Sequence, residues 1–205
     1  MFFRIFKGGK IMSTCHSIFR KRRSVRSFTD KPLDEKDLQI ILEAGTYAPS
    51  GGNSQTTHRI VITNRAVLTK LEALVRQEFA KMEVTENTYK SVKNSILRSK
   101  KGDYVYDYHA PVLIVVANKK GYGNAMADSA TMIENMLLQA AELGIGSCYI
   151  NQLHWLDENP RIREQLQALG LKEDETVTGG VALGFPALAP AAELKRTGNP
   201  ITFVR

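Results

Sequence analysis

The chain has 205 residues, enough for one domain with a substantial core, and its 43% hydrophobic and 24% charged content is the balance of an ordinary globular protein. A formal charge of +7 favours anionic ligands such as phosphates, nucleotides or nucleic acid, although a solvated basic surface accounts for the same excess. Two cysteines far apart, Cys15 and Cys148, exclude a disulfide framework and a CxxC redox motif and fit a reducing cytoplasm. The apolar start is broken by Arg4 and Lys7 and does not read as a signal peptide, and no later run is apolar enough to span a bilayer, so no membrane partner is expected.

Residues 1–14 read as an N-terminal extension and 15–205 as a single domain without repeats. Residues 15–23 are expected to form a short helix leading into "RRSVRSF" at 22–28. The next stretch, "KPLDEKDLQIILEAGTYA", predicts a helix, with Asp34 as cap, acidic residues in the first turn and an apolar stripe at Leu38, Ile41 and Leu42. The loop "APSGGNSQ" at 48–55 follows, then "HRIVIT" as a strand and residues 66–82 as a helix striped by Val67, Leu68, Leu71, Leu74, Val75 and Phe79. Residues 83–108 are polar, basic at the centre and end in three tyrosines. They read either as a weakly amphipathic helix or as a lid, with Tyr104, Tyr106 and Tyr108 as candidates for a mobile wall. "PVLIVVAN" is a strand buried on both faces. Residues 125–143 form the longest helix, apolar nearly all round, which suits a central or interface position. "GSCYI" is a strand, 160–169 a short helix and "TVTGGVALGF" a further strand. The tail 186–205 ends in "ITFV", a segment expected to pair with a sheet edge of this chain or of a partner.

Two stretches stand out chemically. Arg22, Arg23, Ser24 and Arg26 combine forked guanidinium donors with a hydroxyl, the groups a phosphate requires; the same cluster also reads as a basic helix end or as phosphate contacts to nucleic acid. Pro49, Ser50, Gly51, Gly52, Asn53, Ser54 and Gln55 combine a helix stop, close backbone approach and amide or hydroxyl groups suited to a heterocycle edge; a plain helix-to-strand turn uses the same residues. "GYGNAM" at 121–126 follows a strand and opens a helix, but Met126 stands where a dinucleotide fingerprint needs a third glycine, and "GIGSCY" at 144–149 follows a helix instead. His16, His58, His109 and His154 are dispersed without metal-ligand spacing, and Cys148 reads as a buried small hydrophobe, so no metal is expected. Aromatic residues are not interleaved with basic ones, which argues against nucleic acid as a partner.

Taken in order, "RRSVRSF", "ILEAGTYAPSGGNSQ", "APVLIVVA", "LGIGSCYI" and "GGVALGFP" resemble the FMN-dependent nitroreductase family over roughly residues 18–200. The resemblance implies an α+β fold, a mostly antiparallel central sheet flanked by helices, in an intertwined homodimer with two FMN sites at its interface. It implies that Arg22, Arg23 and Ser24 hold the FMN phosphate and ribityl chain, and that Arg26 approaches the pyrimidine edge and tunes the flavin. Pro49, Ser50 and Gly51 would line the flavin from the other subunit, supported by Asn53 and Gln55. Tyr149, Ile150 and Asn151 would pass along one face with a backbone N–H near N5, and Lys195 and Arg196 would meet the phosphate. The implied activity moves hydride from NADH or NADPH through flavin to a small organic acceptor, a nitroaromatic, a quinone or similar, with ping-pong kinetics and no obligatory side-chain acid or base. The alternatives are a flavin-binding protein without NAD(P)H turnover and a basic nucleic-acid-binding module. Two departures are visible: Gln55-Thr56-Thr57 where many relatives read Gln-Pro-Trp, and Asn151-Gln152 where many read Gly or Glu-Gly.

Overall fold

A computed structural model describes residues 4–5, 11–12, 14–189, 191–193 and 195–205. At the N-terminus β1 (Arg4–Ile5) pairs antiparallel with β2 (Ile11–Met12), and α1 (Thr14–Lys21) follows. The next helix, α2 (Glu35–Thr46), starts as expected, because the Asp34 side chain accepts the Lys36 N–H at 2.9 Å. After the loop come β3 (His58–Ile62) and α3 (Arg65–Lys81), capped by Asn64, and then α4 (Lys90–Lys101), ended by Gly102 at φ 84°. The chain continues through β4 (Val112–Lys119), α5 (Ala125–Glu142), β5 (Gly146–Ile150), the one-turn α6 (Gln152–Trp155), α7 (Pro160–Ala168) and β6 (Glu175–Gly184).

The four longer strands form one sheet in the order β3-β4-β6-β5, every neighbouring pair antiparallel. This is an α+β fold, and it excludes the parallel strand-helix-strand unit that the glycine pair at 121–126 would need to bind a dinucleotide. Strand β4 is central, and its side chains alternate between two cores. Leu113, Val115 and Ala117 join Cys148 and Ile150 of β5 in a core closed by α3, α4, α6 and α7, through residues such as Leu71, Phe79, Ile96, Leu153 and Ile162. Val112, Ile114 and Val116 join Val181 and Leu183 in a core closed by Leu38 and Ile41 of α2 and by Ile133, Met136 and Ala140 of α5. Burying about thirty aliphatic and aromatic side chains this way supplies the main stabilisation of the domain.

Three expectations change. Residues 83–108 are not an open lid: α4 packs on α3, and Tyr104 and Tyr106 are core residues, 5% and 1% exposed. Their rings complete the apolar core, Tyr104 meeting Phe79 edge-on at 6.0 Å. Only Tyr108 of the three remains half-buried near the surface. The segment "ITFV" forms no strand here; Ile201, Phe203 and Val204 are 78%, 74% and 95% exposed. The helix α6 was not anticipated, since four residues are too few to show a periodicity. Among the described residues no helix is long and apolar enough to cross a membrane, and no group of three or more His, Cys, Asp or Glu side chains is placed to hold a metal ion.

Candidate active site

The arginine-rich stretch runs along the outer edge of β5. Ser24 forms a parallel bridge with Ser147, the Val25 N–H donates to the Ser147 carbonyl at 2.9 Å, and Phe28 pairs with Pro186. An extended backbone sends alternate side chains to opposite sides. Arg22, Ser24 and Arg26 therefore share one side. Both arginine charges act on Cys148, and Arg26 also meets the hydroxyl of Tyr108. Burial pushes the Cys148 thiol up, against the pull of those arginines, so it remains a thiol and packs as a small hydrophobe.

Arg23 is separated from this group. It lies on the opposite side, where its guanidinium donates to the carbonyls of Arg20 at 2.6 Å, Arg22 at 2.8 Å and Ala191 at 3.1 Å. Beside it the Arg20 guanidinium grips Glu193 through two bonds of 2.9 and 2.7 Å, which brings the tail back to the cluster. Arg20 holds the Glu193 carboxyl below its usual range, with Arg23 and Arg196 contributing. Arg196 thus reaches the neighbourhood of the cluster, while Lys195 is exposed next to it. A cleft of about 480 Å³ runs between Arg23, Val25, Gly146, Ser147, Pro186 and Ala191.

Tyr149, Ile150 and Asn151 end β5 and enter α6. Ile150 is buried, and Tyr149 and Asn151 are half-buried. The Asn151 N–H donates to the Gln152 Oε1 at 3.1 Å, and the Gln152 amide donates to the Tyr104 hydroxyl at 2.8 Å. Gln152 therefore ties the end of β5 to α4, whose Ser95 hydroxyl lies 2.7 Å from the same Tyr104 oxygen.

The Pro49–Gln55 loop is fixed elsewhere, at the N-terminal end of α5. The Gly51 N–H donates to both carboxylate oxygens of Asp128 at 3.1 and 3.2 Å, and the Tyr122 hydroxyl donates to Asp128 at 2.9 Å. At Gly51 a Cβ would lie 2.6 Å from the Tyr122 oxygen and 2.2 Å from Asn124 Nδ2, so a larger residue would have to displace both side-chain ends. Gly52, Asn53 and Gln55 take φ values of 58°, 56° and 51°, and the Gln55 N–H donates to the Ser50 hydroxyl at 3.1 Å. Ser50, Gly51 and Pro49 consequently sit on a rigid turn, with the Asn53 and Gln55 side chains exposed. Within one chain this loop and the arginine side of the cluster are joined by α5, where Glu134 lies 3.7 Å from Arg22 and the Thr131 hydroxyl oxygen lies 3.4 Å from the Pro49 carbonyl. The residue-type pattern gave no sign of Asp128; it offered Tyr122 only inside the incomplete glycine fingerprint, Gln152 only as a departure from the family's pattern and Tyr108 only as a candidate wall. Gly51 reaches Asp128 from 77 positions away and Gln152 reaches Tyr104 from 48, whereas Tyr122, ahead of α5, meets Asp128 only six residues on.

Behind Tyr108 lies a buried acidic pair. Glu72 holds Arg65 at 3.0 Å and His109 at 3.2 Å, and the Asp107 carboxyl accepts the His109 N–H at 3.3 Å. Burial and the neighbouring Glu72 raise Asp107 to about 7. Tyr108 and His109 follow at φ 59° and 56°, so the turn that presents Tyr108 to Arg26 is a strained one.

A family model, described as the nitroreductase family, matches residues 19–185. The chain belongs to the nitroreductase family. An Archaeoglobus fulgidus protein, provisionally named an NADH dehydrogenase/NAD(P)H nitroreductase, is 30% identical, covering 85% of this chain and 87% of its own length. The 4-nitrobenzoate reductase of Nocardioides sp. is 28% identical, over 90% and 86% of the two chains. A nitroreductase from Bacteroides fragilis, crystallised with bound FMN, superposes with a TM-score of 0.84 at 37% identity, over 95% of this chain and all of that one. The expected α+β fold with an antiparallel sheet and flanking helices is thereby shown, and the match spans both stretches singled out in the sequence.

Proposed function

We propose that this chain is an FMN-dependent oxidoreductase that passes electrons from NADH or NADPH to a small organic acceptor such as a nitroaromatic or a quinone. One observation carries the reading: Arg22, Ser24 and Arg26 converge on one side of the β5 edge, and Arg26 has no carboxylate within ion-pair distance among the described residues. Arg22 has only the half-exposed Glu134 at 3.7 Å. One cation without a carboxylate partner and one with only a half-exposed partner, beside a hydroxyl, fit a phosphate and an electron-rich ring edge. When bound, FMN supplies two-electron acceptance and return. The protein's own residues bind and orient it and shield the site.

In this reading Arg22 and Ser24 hold the phosphate and ribityl chain, with Lys195 and Arg196 of the tail nearby. Arg23 braces that tail through the Ala191 carbonyl rather than facing the ligand. Arg26 lies at the pyrimidine edge, where a fixed positive charge favours the reduced, anionic ring. Tyr149, Ile150 and Asn151 form the wall along one face, and Asn151 offers its N–H once Gln152 yields it. Pro49, Ser50 and Gly51, with Asn53 and Gln55 behind them, line the flavin of a second copy of the chain. A homodimer is supported by exposed apolar groups that a lone chain leaves in water, among them Phe19, Tyr47 and Met126, and the tail residues Ile201, Phe203 and Val204. Donor and acceptor use one cavity in turn, which gives ping-pong kinetics.

The test is an absorbance spectrum of the purified protein, followed by anaerobic NADH and then NADPH. A flavin spectrum that bleaches with either donor is the expected result. A protein that takes up no FMN refutes the reading, and a yellow protein inert to both donors leaves a flavin-binding role without NAD(P)H turnover. Sedimentation at micromolar concentration tests the dimer.

A further inference from the structure

Helix α4, "KSVKNSILRSKK", has five cations and no carboxylate. At 100° per residue Ser95, Ile96 and Ser99 turn inward and are buried. Lys90, Lys93 and Lys101 fall on the outer face, exposed and without an ion pair among the described residues. Arg98 lies at the border between the two faces. Its guanidinium carbon stands 5.8 Å from the centre of the Tyr104 ring. Tyr104 is the residue whose hydroxyl meets Gln152, and Gln152 in turn holds the Asn151 N–H. The charges of Arg98 and Arg26 also act on the same Tyr108 hydroxyl. Arg98 thus stands at the rim of the candidate site, joined to it through Tyr104 on one side and Tyr108 on the other.

The present partners of Arg98 are weak ones. Its carboxylate contact, Asp103, is 59% exposed and 3.5 Å away, and its short bond is to the Asp103 carbonyl at 2.9 Å. An ion pair this exposed contributes little and exchanges readily for another anion. The flanking lysines raise the local concentration of anions without fixing their geometry, whereas the forked guanidinium can orient one.

We propose that Arg98, backed by the lysines of α4, receives an anionic oxygen group of the substrate, either the phosphate of a dinucleotide donor or the carboxylate of an aromatic acceptor. The proposal rests on the oxidoreductase reading above and names what that site selects.

The experiment compares the flavin-loaded parent with Arg98→Gln and Arg98→Lys. The donor arm measures kcat/KM for NADPH against N-benzyl-dihydronicotinamide, which has no phosphate. The acceptor arm measures kcat/KM for 4-nitrobenzoate against uncharged nitrobenzene. Taking ratios cancels any general damage to the site. Arg98→Gln is expected to lower at least one ratio about fivefold, more at low salt than at high, with Arg98→Lys retaining most of it. A fall in the donor ratio assigns the phosphate, a fall in the acceptor ratio assigns the carboxylate, and a fall in both assigns a shared anion contact. Both ratios staying within about twofold of the parent overturns the proposal, since an oriented contact to substrate is expected at the upper end of the exposed ion-pair range. A parent protein that takes up no FMN removes the underlying reading and this proposal with it.

Discussion

Replacing Asp107 with asparagine should change how stability depends on pH. The Asp107 side chain is fully buried, its Oδ2 finds no hydrogen-bond partner among the described residues, and Glu72 lies nearby. Its folded pKa is therefore about 7, and an unfolded aspartate titrates near ~3.9. Between these values the unfolded chain gives up a proton that the native chain keeps. The stabilising contribution is complete below about pH 4, falls by about 1.4 kcal/mol per pH unit, and is gone above about pH 7. The full swing is on the order of 4 kcal/mol. The amide variant has no such proton. Its unpaired N–H adds a constant cost of about 1–3 kcal/mol at every pH, so the informative quantity is the difference between variant and parent. Urea unfolding followed by far-UV circular dichroism from pH 4 to pH 8 measures it; groups remote from Asp107 cancel, and Glu72, coupled to it, is part of the measured difference. The variant should gain on the parent by several kcal/mol across that range, about the swing above. A difference that stays constant from pH 4 to pH 8 refutes the reasoning.

Other perturbations address the site and the sheet. Arg26→Ala should slow reduction by NAD(P)H more than it weakens FMN binding, because its charge favours the reduced ring; titration and stopped-flow absorbance measure the two, and equal losses count against that role. Asp128→Ala leaves the Gly51 N–H without its acceptor and removes the shortest of the Tyr122 hydroxyl's bonds, so it should cost about 1–3 kcal/mol and loosen the Pro49–Gln55 loop. Thermal unfolding and FMN titration both report on it, and an unchanged Tm would rule out the clamp. Gly180→Ala puts a Cβ 2.8 Å from the Ile114 carbonyl oxygen in the middle of the sheet, for an expected loss of about 1–3 kcal/mol in denaturant unfolding. A variant as stable as the parent would mean the β4–β6 ladder yields more easily than its packing suggests.

The elements legible in the sequence are those whose signal is local. Asp34 and the Leu38–Ile41 stripe announce α2, the unbroken run "PVLIVVAN" announces a strand buried on both faces, and the glycine-rich "APSGGNSQ" announces a turn that needs left-handed residues. The order of five such stretches was also enough to show the resemblance to the family. What the tertiary structure decided is everything that depends on a partner distant in sequence. Strand β6 enters between β4 and β5, so that Ser147 is left at a sheet edge for Ser24 to join. That edge position turns Arg22, Ser24 and Arg26 one way and Arg23 the other, a division the adjacent letters cannot reveal. Tyr104 and Tyr106 look like a surface run by composition, yet they are buried because α4 and α3 close over them. Asp128 looks like an ordinary helix-surface carboxylate until the chain returns Gly51 to it from 77 positions away. Periodicity reports which side of an element is apolar; only packing reports which other element meets it, and the candidate site is built almost entirely from such meetings.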